Sequence, residues 1–395
     1  MTAAASPISL LRGPPERGEG LSYPGGDGEI FMEKKLRIGL IGTGGIAHLH
    51  MRPYMSYEDV EVVGACDIVP GKARAFLDKY GLTEVPAFES AAEFVKSVQL
   101  DGVSVATYNT THAECTIAAL EAGVHVLCEK PMSFTLLQAV EMLRAQRKAK
   151  KILTIGFQPR YGYMRKKVDD MIASGLIGKV YFVQSGGGRR RGIPGGTFIS
   201  KENAGYGCLG DIGCYSIDEC LHAIKYPKPL TVSATATNHF GTNPKYWKDA
   251  ENFQVDDFST ALVRLEGGVT FLFKQAWAMH ANSLGDTQWL GTEGGIQIKN
   301  GFDEHNRPSK VMLFTDANGM QVDSQVLPSV GFNAYGYPPE QDNFAMKIRD
   351  FVDAIKTGGP DPIPGEEILY NQAICDGIYR SSQQGKEVEI IIPEI

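Results

Sequence analysis

Two unlike folding grammars follow one another in this chain. They predict an α/β domain with a parallel sheet, then a C-terminal α+β domain with a large, mostly antiparallel sheet. From residue 34 to 157, short apolar runs alternate with helical segments, which implies right-handed β-α-β units and a sheet covered on both faces. After about residue 178, segments rich in Val, Thr and Phe succeed one another with glycine turns between them, as antiparallel strands do. The 395 residues suit two domains, expected at 34–157 and 158–395.

In the first domain Leu36–Ile41 reads as a strand buried on both faces. A glycine turn follows, then a helix from about Ile46 to Ser56, and a second strand, Val60–Cys66, that ends at Asp67. Pro70 to Tyr80 is expected to be helical, with the proline in its first turn. Gly102–Thr107 is a strand, Thr111–Ala122 a helix closed by Gly123, and His125–Cys128 a strand. Thr135–Lys148 is a helix and Ile152–Phe157 the last strand. In the second domain, strands are expected at Lys179–Ser185, Leu230–Thr237, Ser259–Leu265, Val269–Trp277 and Thr287–Leu290, with Glu266-Gly267-Gly268 as a turn. A helix from about Leu209 to Ile224 interrupts them. Helices at Asn343–Lys356 and Glu366–Gln383 close the chain and are expected to pack back on the first domain.

Composition narrows the function. The chain is 43% hydrophobic and 22% charged, as ordinary globular domains are, and its formal net charge is −7. The densest basic cluster, Arg189-Arg190-Arg191, is three residues long, so nucleic acid and membrane surfaces find no electrostatic footprint. That cluster is either a solvated loop or a local contact for an anion or a sugar. Seven cysteines without a Cys-x-x-Cys pair indicate reduced thiols and a cytoplasmic location. No His/Cys set has zinc spacing, so no metal is expected. No run approaches the ~20 apolar residues that cross a bilayer. Residues 1–33 read as a disordered or added extension, with Met32 as the expected native start.

The turn Gly42-Thr43-Gly44-Gly45-Ile46-Ala47 carries the first chemistry. Gly42 permits a tight turn, Gly44 a close approach of backbone to a pyrophosphate, and small Ala47 close packing of helix on strand. Phosphates then meet the free N–H groups of a helix N-terminus. Asp67, 20 residues beyond Ala47, is placed to hold ribose hydroxyls and to repel a 2′-phosphate. This is a Rossmann domain for a nicotinamide dinucleotide, with NAD preferred over NADP.

At Cys128-Glu129-Lys130-Pro131 the sequence resembles the Gfo/Idh/MocA oxidoreductase family, over nearly the whole chain from about residue 34. Asp101–His112, Gly156–Tyr161, Asp211–Tyr215, Val255–Phe258 and Asp350–Ile355 carry the same resemblance. It implies hydride transfer between a secondary hydroxyl of a sugar, glycoside or cyclitol and the nicotinamide, in a homodimer or homotetramer. It places Thr107, Asn109, His112, Glu129, Lys130 and Gln158 near the cofactor. It places Arg160, Tyr161, Arg191, Asp211, Tyr215 and Asp218 near the substrate. Pro131 is a candidate for a cis bond.

Asp211 and Tyr215, four apart on the expected helix, share a face, with Asp218 near it. Many relatives have a histidine base where Tyr215 stands. A phenol with pKa near 10 is a poor base at neutral pH. The Lys130 ammonium is expected to lower that pKa, which makes Tyr215 the acid/base, Lys130 its electrostatic partner and Asp211 an orienting or substrate-binding group. The alternative is that Tyr215 only shapes the pocket. His112 either lies by the nicotinamide or caps the helix beginning at Thr110 or Thr111. His125 and His222 read as structural, and Trp277 as core or interface. Three functions remain open: a dehydrogenase that exchanges NAD, a redox-neutral glycosidase or epimerase-type enzyme that retains it, and a non-catalytic sugar-sensing regulator. Retention of Lys130, Asp211 and Tyr215 argues against the last.

Overall fold

The computed structural model describes residues 34–299, 310–326 and 342–395. The expectations for residues 1–33, including the start at Met32, lie outside the described residues. Six strands build the first sheet, with helices between them: β1 (Leu36–Ile41), α1 (Ala47–Ser56), β2 (Val60–Cys66), α2 (Lys72–Lys79), β3 (Ala87–Phe88), α3 (Ala91–Ser97), β4 (Gly102–Val105), α4 (His112–Glu121), β5 (His125–Cys128), α5 (Leu136–Ala149) and β6 (Leu153–Ile155). Every pairing is parallel and the order is β3-β2-β1-β4-β5-β6. In such a sheet the crevice for a ligand lies outside the carboxyl ends of β1 and β4, where the order reverses.

Local chemistry explains several element ends. Thr135 and Gln138 form a reciprocal capping box that starts α5. Gly71, at φ +74°, stands before α2, so Pro70 lies ahead of that helix rather than in its first turn. β4 stops at Val105, and the expected helix at Thr111 begins one residue later, after a short 3-10 turn over Asn109–Thr111. β3 and α3 escaped the sequence reading because one is two residues long and the other seven. Only the Ser90 hydroxyl, accepting from Glu93 N–H, marks the start of α3.

The second sheet follows α6 (Tyr163–Ala173) and β7 (Val180–Gln184). A helical turn α7 (Lys201–Ala204) and α8 (Cys214–His222) come next. Then come β8 (Pro229–Thr237), β9 (Phe258–Leu265), β10 (Thr270–Ala276), β11 (Thr287–Gly291), β12 (Gly294–Ile298), β13 (Val311–Ala317) and β14 (Met320–Gln325). Helices α9 (Asn343–Thr357) and α10 (Gly365–Gln384) precede β15 (Val388–Glu389). Among the described residues the order is β14-β13-β12-β11-β7-β10-β9-β8-β15, antiparallel except where β10 meets β7. β12 to β15 were not expected. Gly294 and Gly295 resemble a turn, and β14 has almost no buried residue to give an apolar alternation.

One face of this sheet is covered. Along β9, buried and open positions alternate, so one row of side chains faces a core. Trp289 of β11 is fully buried and donates from Nε1 to the Cys220 carbonyl of α8 at 3.0 Å. Tyr181, Leu230 and Leu262 are exposed. α9 packs against α1 of the first sheet, burying Ile348, Phe351 and Val352. The segment expected as one α-helix from Leu209 opens instead as a π-helical turn, Leu209–Gly213, before α8. None of the seven cysteines is paired, and all are buried. No helix among the described residues is long and apolar enough to cross a membrane.

Candidate active site

Gly42 makes the turn after β1 at φ +88°, and a Cβ there would lie 2.5 Å from the Ala106 carbonyl oxygen. Only glycine fits both the backbone angle and the space. A Cβ on Gly44 or Gly45 would meet nothing within 4 Å, because both face an open cleft of about 570 Å³. Ile46, Asp67, Lys72, Thr107 and Asn109 line the same cleft, and Ala47 is buried behind it. The Asp67 carboxylate accepts from Thr43 N at 2.9 Å, Thr43 Oγ1 at 2.8 Å and Val69 N at 3.0 Å, and pairs with Lys72 Nζ at 2.9 Å. Burial opposes its charge, but these donors hold its pKa below the usual carboxylate value. A glycine cradle and an ionised carboxylate at the end of β2 fit a dinucleotide whose ribose carries free hydroxyls.

Lys130, which follows β5, meets Asp211 from the turn before α8 and Tyr215 from the first residues of that helix. The Lys130–Pro131 bond is cis, as expected. Lys130 Nζ donates to the Asp211 carbonyl at 2.7 Å and to Asp211 Oδ1 at 3.1 Å, and lies 4.7 Å from the centre of the Tyr215 ring. Asp211 Oδ2 accepts from Trp277 Nε1 at 3.1 Å. Burial works against the Lys130 ammonium, but Cys214 and the Asp211 carboxylate raise its pKa above that of a free lysine. The expected lowering of the Tyr215 pKa is overturned. Burial pushes this phenol well above its ordinary value, and Glu129 and Cys214 add to the rise. The ammonium sits over the ring face rather than at the hydroxyl, which donates instead to Gln158 Oε1 at 2.9 Å.

Residues 36–157 match a family model described as an oxidoreductase family with an NAD-binding Rossmann fold, and residues 166–297 match the GFO/IDH/MocA C-terminal domain. D-glucoside 3-dehydrogenase of Escherichia coli (strain K12) is 30% identical over 364 residues, 90% of this chain and 97% of that protein. The chain belongs to the Gfo/Idh/MocA family. It is therefore an oxidoreductase with an NAD-binding domain. Inositol 2-dehydrogenase of Salmonella typhimurium (strain LT2) is 36% identical, but over 152 residues, 38% of this chain and 44% of that one. A levoglucosan dehydrogenase solved with NADH and levoglucosan shares the fold, with a TM-score of 0.75 at 21% identity, over 91% of this chain and all of that one.

Several residues expected at the site of this Gfo/Idh/MocA chain have other work in the fold. Glu129 is 4% exposed, and its Oε1 takes Lys347 Nζ at 2.5 Å and His50 Nε2 at 2.8 Å. Burial opposes its charge, yet Lys347 and His50 hold this carboxyl well below the usual range. Its Oε2 accepts from the Lys130 backbone N at 3.3 Å, so Glu129 fixes the lysine's backbone. Asp218, 3% exposed, is held by Arg160 Nε at 3.0 Å and Nη2 at 2.7 Å and by the Tyr226 hydroxyl. Arg160 also reaches Glu367 of α10 at 2.8 Å, so the Arg160–Asp218 pair ties α8 to α10. Burial and the nearby Asp350 carboxylate push the Tyr161 phenol up, which places it against α9.

His112 donates from Nδ1 to the Pro131 carbonyl at 2.7 Å, and no side chain caps α4, so the capping alternative is overturned. Its buried Nε2 has no partner among the described residues. His125 accepts from Ile152 N at 3.0 Å, and His222 Nδ1 lies 2.9 Å from Asp169.

Sequence reasoning missed the part played by four residues. Trp277 is fully buried, as expected of a core residue, yet it also orients Asp211. His50 and Lys347 hold Glu129; Lys347 gave a signal, since it interrupts the apolar stripe Phe344, Ile348, Phe351. Asp256 accepts from Gly207 N at 2.7 Å and Leu209 N at 2.9 Å, and the Tyr379 hydroxyl donates to it, which fixes the loop that delivers Asp211.

Proposed function

We propose that this enzyme oxidises a secondary ring hydroxyl of a sugar or glycoside with NAD. The cluster of Lys130, Asp211 and Tyr215 carries the reading. It combines a fixed cation, on the residue two beyond the end of β5, with a proton-bearing phenol on α8. The full-length likeness to a D-glucoside 3-dehydrogenase supports a glycoside over a cyclitol, because the likeness to inositol dehydrogenases covers under half of the chain.

Bound NAD supplies the hydride acceptor, C4 of its nicotinamide. The alcohol carbon gives up the hydride and its hydroxyl gives up a proton. Two N–H groups of Lys130 are held by Asp211, which aims the third at the reacting oxygen and steadies its negative charge. Tyr215 exchanges the proton. For oxidation it acts after losing its own proton; for reduction it donates directly to the carbonyl oxygen. Asp211, braced by Trp277, orients Lys130.

The test is NADH absorbance with NAD and a panel of glucosides, aldoses and inositols. Reduction of NAD by a glucoside is expected, and no reduction by any of them sinks the reading. One observation favours the cofactor-retaining variant. Thr197, Phe198, Asn203 and Ala204 of the second half line the dinucleotide cleft, and Asn109 Nδ2 holds the Ala204 carbonyl at 3.0 Å. NAD(H) released on denaturing the purified protein, in a one-to-one ratio, supports retention.

A further inference from the structure

Stretches of three loops meet beside Trp277, each ending short of the acidic residue that follows it, Glu202, Asp249 and Asp286 in turn. Residues 186–200, 238–248 and 277–285 carry Arg189, Arg190, Arg191, Lys245, Lys248, His239 and His280. They contain no aspartate or glutamate, in a chain whose net charge is −7. Arg189 N donates to the Ala276 carbonyl at 2.9 Å and Met279 N to the Arg190 carbonyl at 3.3 Å. The Phe240 and Tyr246 rings lie 5.0 Å apart, and His280 meets them edge-on at 5.0 and 5.5 Å. Ile193, Trp247, Ile212 and Trp277 pack into one small core, so this loop cluster is built on the neighbour of Asp211 and on the tryptophan that orients it. His280 follows Trp277 by three residues, a span of at most about 11 Å.

Arg191 is the fixed member. Its guanidinium lies 4.8 Å from the Phe240 ring centre and 4.9 Å from that of Tyr246, and Nη1 donates to the Met279 carbonyl at 2.8 Å. Its Nε and Nη2 have no hydrogen-bond partner among the described residues. None of Arg189, Arg190, Arg191, Lys245 and Lys248 forms an ion pair with a carboxylate among those residues. A guanidinium resting against two rings and tied through Nη1 to a backbone carbonyl has less rotamer freedom to lose on binding than a free one, and its open edge matches a planar or tetrahedral oxyanion.

We infer that the substrate carries an anionic group, a carboxylate or a phosphate, which Arg191 receives. This names the substrate class for the dehydrogenase proposed above and rests on that reading. The unpaired cations around Arg191 draw such a substrate toward the cleft against the chain's overall negative charge.

NADH formation is to be compared for glucose, glucuronate, glucose 6-phosphate and a 4-carboxyphenyl glucoside beside its uncharged phenyl counterpart. At least one anionic sugar is expected to exceed its neutral parent in kcat/KM by roughly 10- to 100-fold, the size of a charged hydrogen-bonded contact. That ratio is expected to fall toward one in Arg191→Gln and to be partly kept in Arg191→Lys. The carboxylate and phosphate arms identify the group. Equal use of neutral and anionic sugars, or a ratio untouched by Arg191→Gln, overturns the inference and leaves the dehydrogenase reading standing. If no sugar reduces NAD, that reading fails. Calorimetric binding of the same sugars then decides the inference alone: an anion preference lost in Arg191→Gln supports it, and equal binding overturns it.

Discussion

Tyr215 holds its proton firmly, and this shapes how the enzyme responds to pH. Burial raises the phenol's pKa above its ordinary value near 10, so at neutral pH the deprotonated form needed for oxidation is scarce. In the oxidising direction kcat/KM is therefore expected to climb about tenfold per pH unit from 7 to 10, without a plateau. In the reducing direction it is expected to stay flat over that range, because the proposed proton donor there is the protonated phenol. A plateau below pH 8 for oxidation would remove Tyr215 from the proton path. Tyr215→Phe is expected to lower kcat/KM by roughly 10²- to 10⁴-fold. Near-normal turnover would leave the ring as mere shaping of the pocket. At this scale the sequence was a partial guide. It named Lys130, Asp211 and Tyr215, and the structure brings them together, but it misjudged the sign of the Tyr215 shift. Sequence spacing places a cation near a phenol; only packing decides whether it meets the hydroxyl or the ring face.

The helix α9 shows how an element far away in the chain serves the site. Lys347 enters from α9, 218 residues from Glu129, and is 1% exposed. Lys347→Met is expected to destabilise the protein by about 3–5 kcal/mol, since it strands the Glu129 carboxylate in the core. Denaturant unfolding measures this, and adding Glu129→Gln to the same protein should recover most of the loss. A single variant as stable as the parent would show that the pair does not hold the fold. The sequence displayed α9 as an amphipathic helix and Lys347 as an oddity on its apolar stripe, without revealing its partner. The same limit applies to Arg160 and Asp218. The family resemblance placed them near the substrate, and nothing in it showed that they form a buried bidentate pair with each other.

For the molecule as a whole, two buried histidines and one half-buried one set the acid limit. Burial lowers the pKa values of His50, His112 and His125, the last to about 4. Below about pH 6.5 the unfolded chain takes up protons that the folded one refuses, so stability falls from there toward pH 4. A drop in Tm on the order of 5 °C between pH 7 and 5 is expected in calorimetry. An unchanged Tm would mean that these rings are charged in the fold. The sequence by itself determined the alternation of strands and helices, the glycine turn, Asp67 at the end of β2 and the Lys130 motif. Each is specified by neighbours within a few residues, through period, turn geometry and backbone space. Only the tertiary structure decided that Glu129 pairs with Lys347 and His50, that Trp277 braces Asp211, and that Arg191 rests against Phe240 and Tyr246. Those outcomes depend on which side chains meet across a packed core, where distance in space is independent of distance along the chain.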